Sequence, residues 1–127
     1  MKTILTLCAA LVLIAVLAPG ASAQDGNVYR HLVAFEFKKS ATEHHYMEVI
    51  GDFMALKDQI DGIVSIEWGF TDKAEPLNGN YTHAFLVTFT NKEAMEAYLP
   101  HPAHLAFKEV IQKRVKNVFV LDYAVVE

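Results

Sequence analysis

Two stretches of strict alternation restrict the fold more than any other feature of this chain. In His31-Leu-Val-Ala-Phe-Glu-Phe37, His31, Val33, Phe35 and Phe37 share one face, while Leu32, Ala34, Glu36 and the following Lys38 share the other. From Tyr81 to Phe89, Tyr81, His83, Phe85, Val87 and Phe89 point one way and Thr82, Ala84, Leu86 and Thr88 the other. A period of two reads as β-strand, and both strands carry apolar residues on both faces, so the sheet they build needs cover on each side. Between them, Ser40 and Glu43 have capping-box spacing, and Met47, Ile50, Phe53 or Met54, and Leu56 or Ile60 supply an apolar helical stripe that Asp61-Gly62 ends. A further strand is predicted over Ile63 to Phe70, and Glu75 to Asn80, with Pro76 and Gly79, is a loop.

Beyond Phe89, Thr90 and Glu93 repeat the capping-box spacing and start a short helix through Met95 and Tyr98, which Pro100 and Pro102 interrupt. A longer helix is predicted from Ala103 to Val115, with Phe107, Val110, Ile111 and Arg114 at helical intervals, and a last strand from Val118 to Val125. The order strand, helix, strand, strand, helix, strand is that of a ferredoxin-like α+β unit. Helices cover one sheet face. Leu32, Ala34, Leu86, Phe119 and Leu121 leave the other apolar, and a dimer with sheets face to face covers it most economically.

The chain has 127 residues. Residues 1–23 read as an export leader: Lys2 precedes the apolar run from Ile4 to Leu17, and Pro19-Gly20-Ala21-Ser22-Ala23 ends in a small-x-small cleavage pattern. Cleavage after Ala23 leaves 104 residues as one domain, 24–127, secreted or periplasmic. Two alternatives compete: a lipoprotein anchored at Cys8, disfavoured because that cysteine lies deep in the apolar run, and a retained anchor in which Ala18 to Ala23 extend the run. Cys8 is the only cysteine, so the mature chain has no disulfide, thiolate nucleophile or cysteine metal site. Loss of Lys2 makes the charge −5 with histidine neutral, which offers no broad basic surface to nucleic acid; Lys113-Arg114-Lys116 reads as a solvated helix face. No membrane span is expected once the leader is removed.

The polar residues that interrupt apolar faces are His31, His83, Tyr98, His101, His104 and Asp122. His31 and His83 each need a hydrogen-bond partner or a cavity, unless they are simply satisfied core histidines. Asp122 follows Val118 and Val120 at strand period and could orient a histidine ring, its plainer reading being an exposed carboxylate near a strand end. Tyr98-Leu-Pro-His101-Pro-Ala-His104 is the densest constellation. There an imidazole can remove a proton and a phenol can donate to the oxyanion formed on a carbonyl or enolate. His101 as a helix-start residue and His104 as a packing residue are the structural alternatives. A metal site joining His101 and His104 with His83 or Asp122 matches no zinc signature.

Five segments together resemble the stress-responsive A/B-barrel, or Dabb, family: His31 to Phe37, Gly62-Ile-Val-Ser-Ile-Glu-Trp-Gly69, Tyr81 to Phe89, Tyr98-Leu-Pro-His-Pro-Ala-His104 and Val120-Leu-Asp-Tyr123. The resemblance covers nearly all of the mature chain and implies a ferredoxin-like dimeric α/β-barrel closed by two sheets. The family includes plant stress proteins, bacterial proteins and a plant cofactor-independent polyketide cyclase that performs an aldol-type ring closure. In that cyclase the residues matching Tyr98 and His104 are catalytic, the histidine as base and the tyrosine as an orienting, oxyanion-side donor. Its pocket-associated histidines and aspartate match His31, His83 and Asp122, and His101 matches the first histidine of its His-Pro-Ala-His segment. The resemblance thus implies catalytic Tyr98 and His104, substrate-binding His31, His83, His101 and Asp122, no cofactor and no metal. The export leader and the loop from Asp72 to Asn80 depart from the cyclase. Three functions stay open: a noncatalytic or uncharacterised homodimer that binds a small carbonyl-containing or aromatic ligand or takes part in an envelope or extracellular stress response, a cofactor-independent cyclase or lyase acting on a carbonyl-rich substrate, and a structural oligomer.

Overall fold

The two alternating segments become the central strands of a single four-stranded antiparallel sheet. A computed structural model describes residues 27–127, so the leader, Cys8 and the cleavage position after Ala23 lie outside the described residues. The elements are β1 (Tyr29–Phe37), α1 (Glu43–Gln59), β2 (Ile63–Phe70), β3 (His83–Phe89), α2 (Lys92–Tyr98), α3 (Pro102–Arg114) and β4 (Val115–Ala124). Their order in the sheet is β2-β3-β1-β4, the ferredoxin-like arrangement. Register follows the alternation: Val33 lies opposite Phe85 on one side and Val120 on the other, and His31 lies opposite Val87 and Asp122.

One face of the sheet packs against the helices. Phe35, Phe85, Val87 and Phe89 are wholly buried there, against Val49, Ile50, Phe53 and Leu56 of α1, Met95 and Tyr98 of α2, and Phe107 of α3. The Phe53 ring centroid lies 4.5 Å from that of Phe85 and 4.8 Å from that of Phe107, so one side chain ties α1 to both the sheet and α3. Burial of each such side chain contributes about 1.5–3 kcal/mol, the main favourable term for a domain this small. Gly62 turns the chain from α1 into β2 at φ +88°, and a Cβ there would stand 2.6 Å from Ala94 Cβ, so both conformation and close approach demand glycine.

The element order holds, but several local expectations shift. The cap of α1 is Thr42, not Ser40, and its amide donates to His45 Nδ1 at 3.1 Å. The cap of α2 is not Thr90 but Asn91, whose Oδ1 accepts from the Ala94 amide at 2.9 Å. Capping chemistry alone does not choose among adjacent Ser, Thr and Asn residues; packing of the helix behind them does. Met47 is 58% exposed and Val49 takes the buried position, where it packs with Ile50, Phe53 and Leu56 in the core. The third strand starts at His83, and the Tyr81 ring instead packs against Phe119, centroids 6.0 Å apart. The last strand begins at Val115, and Lys116 pairs with Glu36 at 3.1 Å from that strand rather than from a helix face.

Leu32, Ala34 and Leu86 on the second sheet face are only half-buried, and Phe119 and Leu121 are exposed. Among the described residues no helix is long and apolar enough to cross a membrane. β4 is an edge strand, and its helix-side residues Val118 and Val120 stay 46% and 47% exposed because the helices do not close over them. That gap between β4, β1 and α3 is the candidate site.

Candidate functional site

A cavity of about 360 Å³ opens in the gap, a size suited to a small organic ligand. Val33, Phe35, Phe53, Phe107, Ile111, Val118 and Val120 give it apolar walls, and His31, Tyr98, His104, Lys108 and Gln112 supply the polar groups. Three of these come from the ends of three different elements. His31 comes from β1, Tyr98 ends α2, and His104 lies in the first turn of α3. The chain folds back sharply at Pro100 and Pro102, which keep α2 and α3 from merging and bring the rings of Tyr98 and His104 into a stack, centroids 4.1 Å apart and 29° from parallel.

The hydrogen bonds assign the tautomers. His104 Nδ1 lies 2.9 Å from the Leu99 carbonyl oxygen, which can only accept, so Nδ1 carries the proton and Nε2 keeps a lone pair. Burial holds the His104 pKa below the ordinary histidine value, against the Leu99 carbonyl, which raises it; Lys108, His31 and His101 lower it further. The ring is therefore neutral at neutral pH. His31 Nδ1 donates to Asp122 Oδ1 at 2.5 Å, across the β1–β4 register, which leaves Nε2 of a buried imidazole as its free end. The His31 ring also meets Tyr98 edge-on at 5.7 Å. Burial, and then the charge of Asp122, push the Tyr98 phenol far above its ordinary pKa. Its hydroxyl thus stays a proton donor over the whole physiological range.

The structure brings Tyr98, His104 and His31 to one cavity, with Asp122 behind His31. It does not bring His83 or His101 there. His101 caps α3, its Nδ1 accepting from the Ala103 amide at 3.1 Å. His83 sits among the rings of Phe37, Phe70 and Tyr46, with centroids at 4.8, 5.1 and 5.3 Å, and with Nδ1 2.8 Å from Thr82 Oγ1. Its Nε2 is buried without a hydrogen-bond partner. Strand alternation placed His31 and His83 correctly on the inner face, but whether an inner position meets cavity or core depends on where the helices lie. Lys108 and Gln112 are cavity residues that the sequence did not single out; their positions four and eight residues after His104 were the available signal. Among the described residues, no three His, Cys, Asp or Glu side chains gather as a metal site would require.

Burial lowers the His83 pKa, so the folded state prefers the neutral ring. The unfolded chain then binds the proton more readily, and stability is complete above the ordinary histidine pKa of about 6.5 and declines as pH falls through and below it. Urea midpoints measured from pH 7.5 down to pH 5 are expected to fall more steeply for the wild type than for His83→Phe, which removes this titration and leaves that of His104. Equal slopes would contradict the assignment.

Comparison with known proteins gives a consistent result. A family model described as "Stress responsive A/B Barrel Domain" matches residues 29–125. The stress-response A/B barrel domain-containing protein HS1 of Arabidopsis thaliana is 32% identical over 94 residues, 74% of this chain and 86% of that protein. Olivetolic acid cyclase of Cannabis sativa is 29% identical over 94 residues, 74% of this chain and 93% of the cyclase. Among solved structures, a dimeric ferredoxin-like protein of unknown function from Jannaschia sp. superposes with a TM-score of 0.68 at 26% identity, over 77% of this chain and 99% of that one.

Proposed function

The chain belongs to the stress-responsive A/B barrel (Dabb) family, and from that premise we propose that its cavity binds a small carbonyl compound and moves a proton at the carbon next to the carbonyl, without a cofactor. The stacked Tyr98–His104 pair on the cavity wall, with His104 Nδ1 committed to Leu99, carries this reading. His104 Nε2 takes the α-proton: the C–H bond breaks, an N–H bond forms, and the electron pair passes to the carbonyl oxygen, where the Tyr98 hydroxyl donates a hydrogen bond to the enolate. His31, held by Asp122, presents the Nε2 lone pair to a ligand hydroxyl or a water, either of which can donate to it. The enolate then either recovers the proton from His104 or attacks a second carbonyl of the same molecule, where a C–C bond forms, the C=O π bond breaks and the resulting alkoxide takes the proton from the His104 imidazolium, the aldol-type closure of a cyclase. Likeness to olivetolic acid cyclase supports the reaction class and leaves the substrate open. Solvent-deuterium incorporation next to the carbonyl of 4-oxo-4-phenylbutanoate tests it.

The functional unit in this reading is a homodimer joined through the exposed apolar sheet face, as the dimeric relative and the exposure of Phe119 and Leu121 suggest. Residues 1–23 act as a removed export leader, which makes the protein secreted or periplasmic. Terminal sequencing of the exported protein is expected to start at Gln24, and a full-length membrane-bound product would contradict removal.

A further inference from the structure

Lys108 gives the cavity a charge that proton transfer alone does not require. It is the only lysine or arginine among the described residues that line the cavity, and no aspartate or glutamate lines it. Arg114 pairs with Glu48 at 3.2 Å, Lys116 with Glu36 at 3.1 Å and Lys92 with Glu96 at 3.4 Å, and Lys38 donates to the Gln112 carbonyl at 2.8 Å, whereas Lys39, Lys57, Lys73 and Lys113, unpaired among the described residues, line no part of this cavity. Lys108 makes no ion pair among the described residues, and its helical neighbours at three and four positions, His104, Leu105, Ile111 and Gln112, offer no carboxylate. His104, Lys108 and Gln112 follow at intervals of four, which puts base, cation and amide along one face of α3. Lys108 also weighs against protonation of His104, so its charge is felt at the base. The lysine itself is exposed and marks the cavity mouth, whereas Phe35, Phe53 and Phe107 of the apolar wall are buried.

We propose that Lys108 selects carbonyl compounds that carry a carboxylate, holding the acid group at the mouth while the apolar body lies against Phe53, Phe107 and Val120. This rests on the proposed reading of the cavity as a carbonyl-compound site. A carboxylate drawn toward apolar walls without a partner loses hydration with no return, while a cation beside a neutral amide at the rim supplies a charge-assisted contact. A neutral ester of the same shape gains nothing from that charge.

The test uses 4-oxo-4-phenylbutanoate and its methyl ester, titrated calorimetrically at low salt into the wild type and Lys108→Met, which keeps most of the apolar stem. The wild type is expected to bind the acid more tightly. The substitution is expected to weaken the acid by about tenfold and to leave the ester nearly unchanged. Added salt should narrow the wild-type preference. A wild type that binds both compounds equally, or a Lys108→Met protein that keeps the preference, overturns the assignment of Lys108 and leaves His104 untouched. Lys108-dependent acid binding with no deuterium incorporation overturns the proton-transfer reading alone. Failure of both compounds to bind the wild type overturns both readings.

Discussion

His104→Ala is expected to reduce deuterium incorporation into 4-oxo-4-phenylbutanoate by about 10²–10⁴-fold, the range lost when a positioned general base is removed. The expectation follows from geometry first. The Leu99 carbonyl fixes the proton on Nδ1, so the only basic atom of the ring is Nε2, and burial keeps it unprotonated near neutrality. Tyr98→Phe removes the hydroxyl but keeps the ring stacked on His104, and is expected to cost about 10²–10³-fold as an oxyanion donor does. Binding of the probe should survive both changes, because Val33, Phe53 and Phe107 still form the walls. Nuclear magnetic resonance of the exchanging methylene, with circular dichroism as the check on folding, measures all of this. Wild-type exchange rates in both variants would remove the acid–base assignment.

Leu121→Glu is expected to convert a dimer into a folded monomer. Leu121 is 50% exposed in the single chain, so a glutamate there costs the monomer little. In a face-to-face dimer the same carboxylate is buried without a partner, and twofold symmetry introduces it twice. Sedimentation at micromolar concentration should give two chains for the wild type and one for the variant, with unchanged far-ultraviolet circular dichroism. A monomeric wild type, or a variant that remains dimeric, would contradict the placement of the interface.

The sheet was legible in the sequence because its two central strands carry an unbroken period of two, and a one-residue slip would have turned Phe35 and Phe85 to the other face. The helices were legible in number but not in phase. Ser40, Thr42, Thr90 and Asn91 all satisfy the chemistry of a cap, and only tertiary packing selects Thr42 and Asn91. Within the site, Tyr98 and His104 were visible as a pair because prolines separate their helices. The His31–Asp122 contact needed the β1–β4 register, which no local pattern states. His83 shows the limit of alternation: it shares the inner face with His31, yet β3 carries it into an aromatic cluster away from the cavity. Lys108 escaped notice because a lysine in a periodic helix reads as a solvated residue until the edge strand leaves a gap beneath it.

A crystal structure of residues 24–127 with 4-oxo-4-phenylbutanoate would decide whether the cavity holds a keto acid against Tyr98 and His104. Ligand density is expected in the cavity, with the carbonyl oxygen within hydrogen-bond reach of the Tyr98 hydroxyl, the adjacent carbon facing His104 Nε2 and the carboxylate toward Lys108. A cavity closed by its own side chains, with ligand absent or bound elsewhere, would contradict that placement.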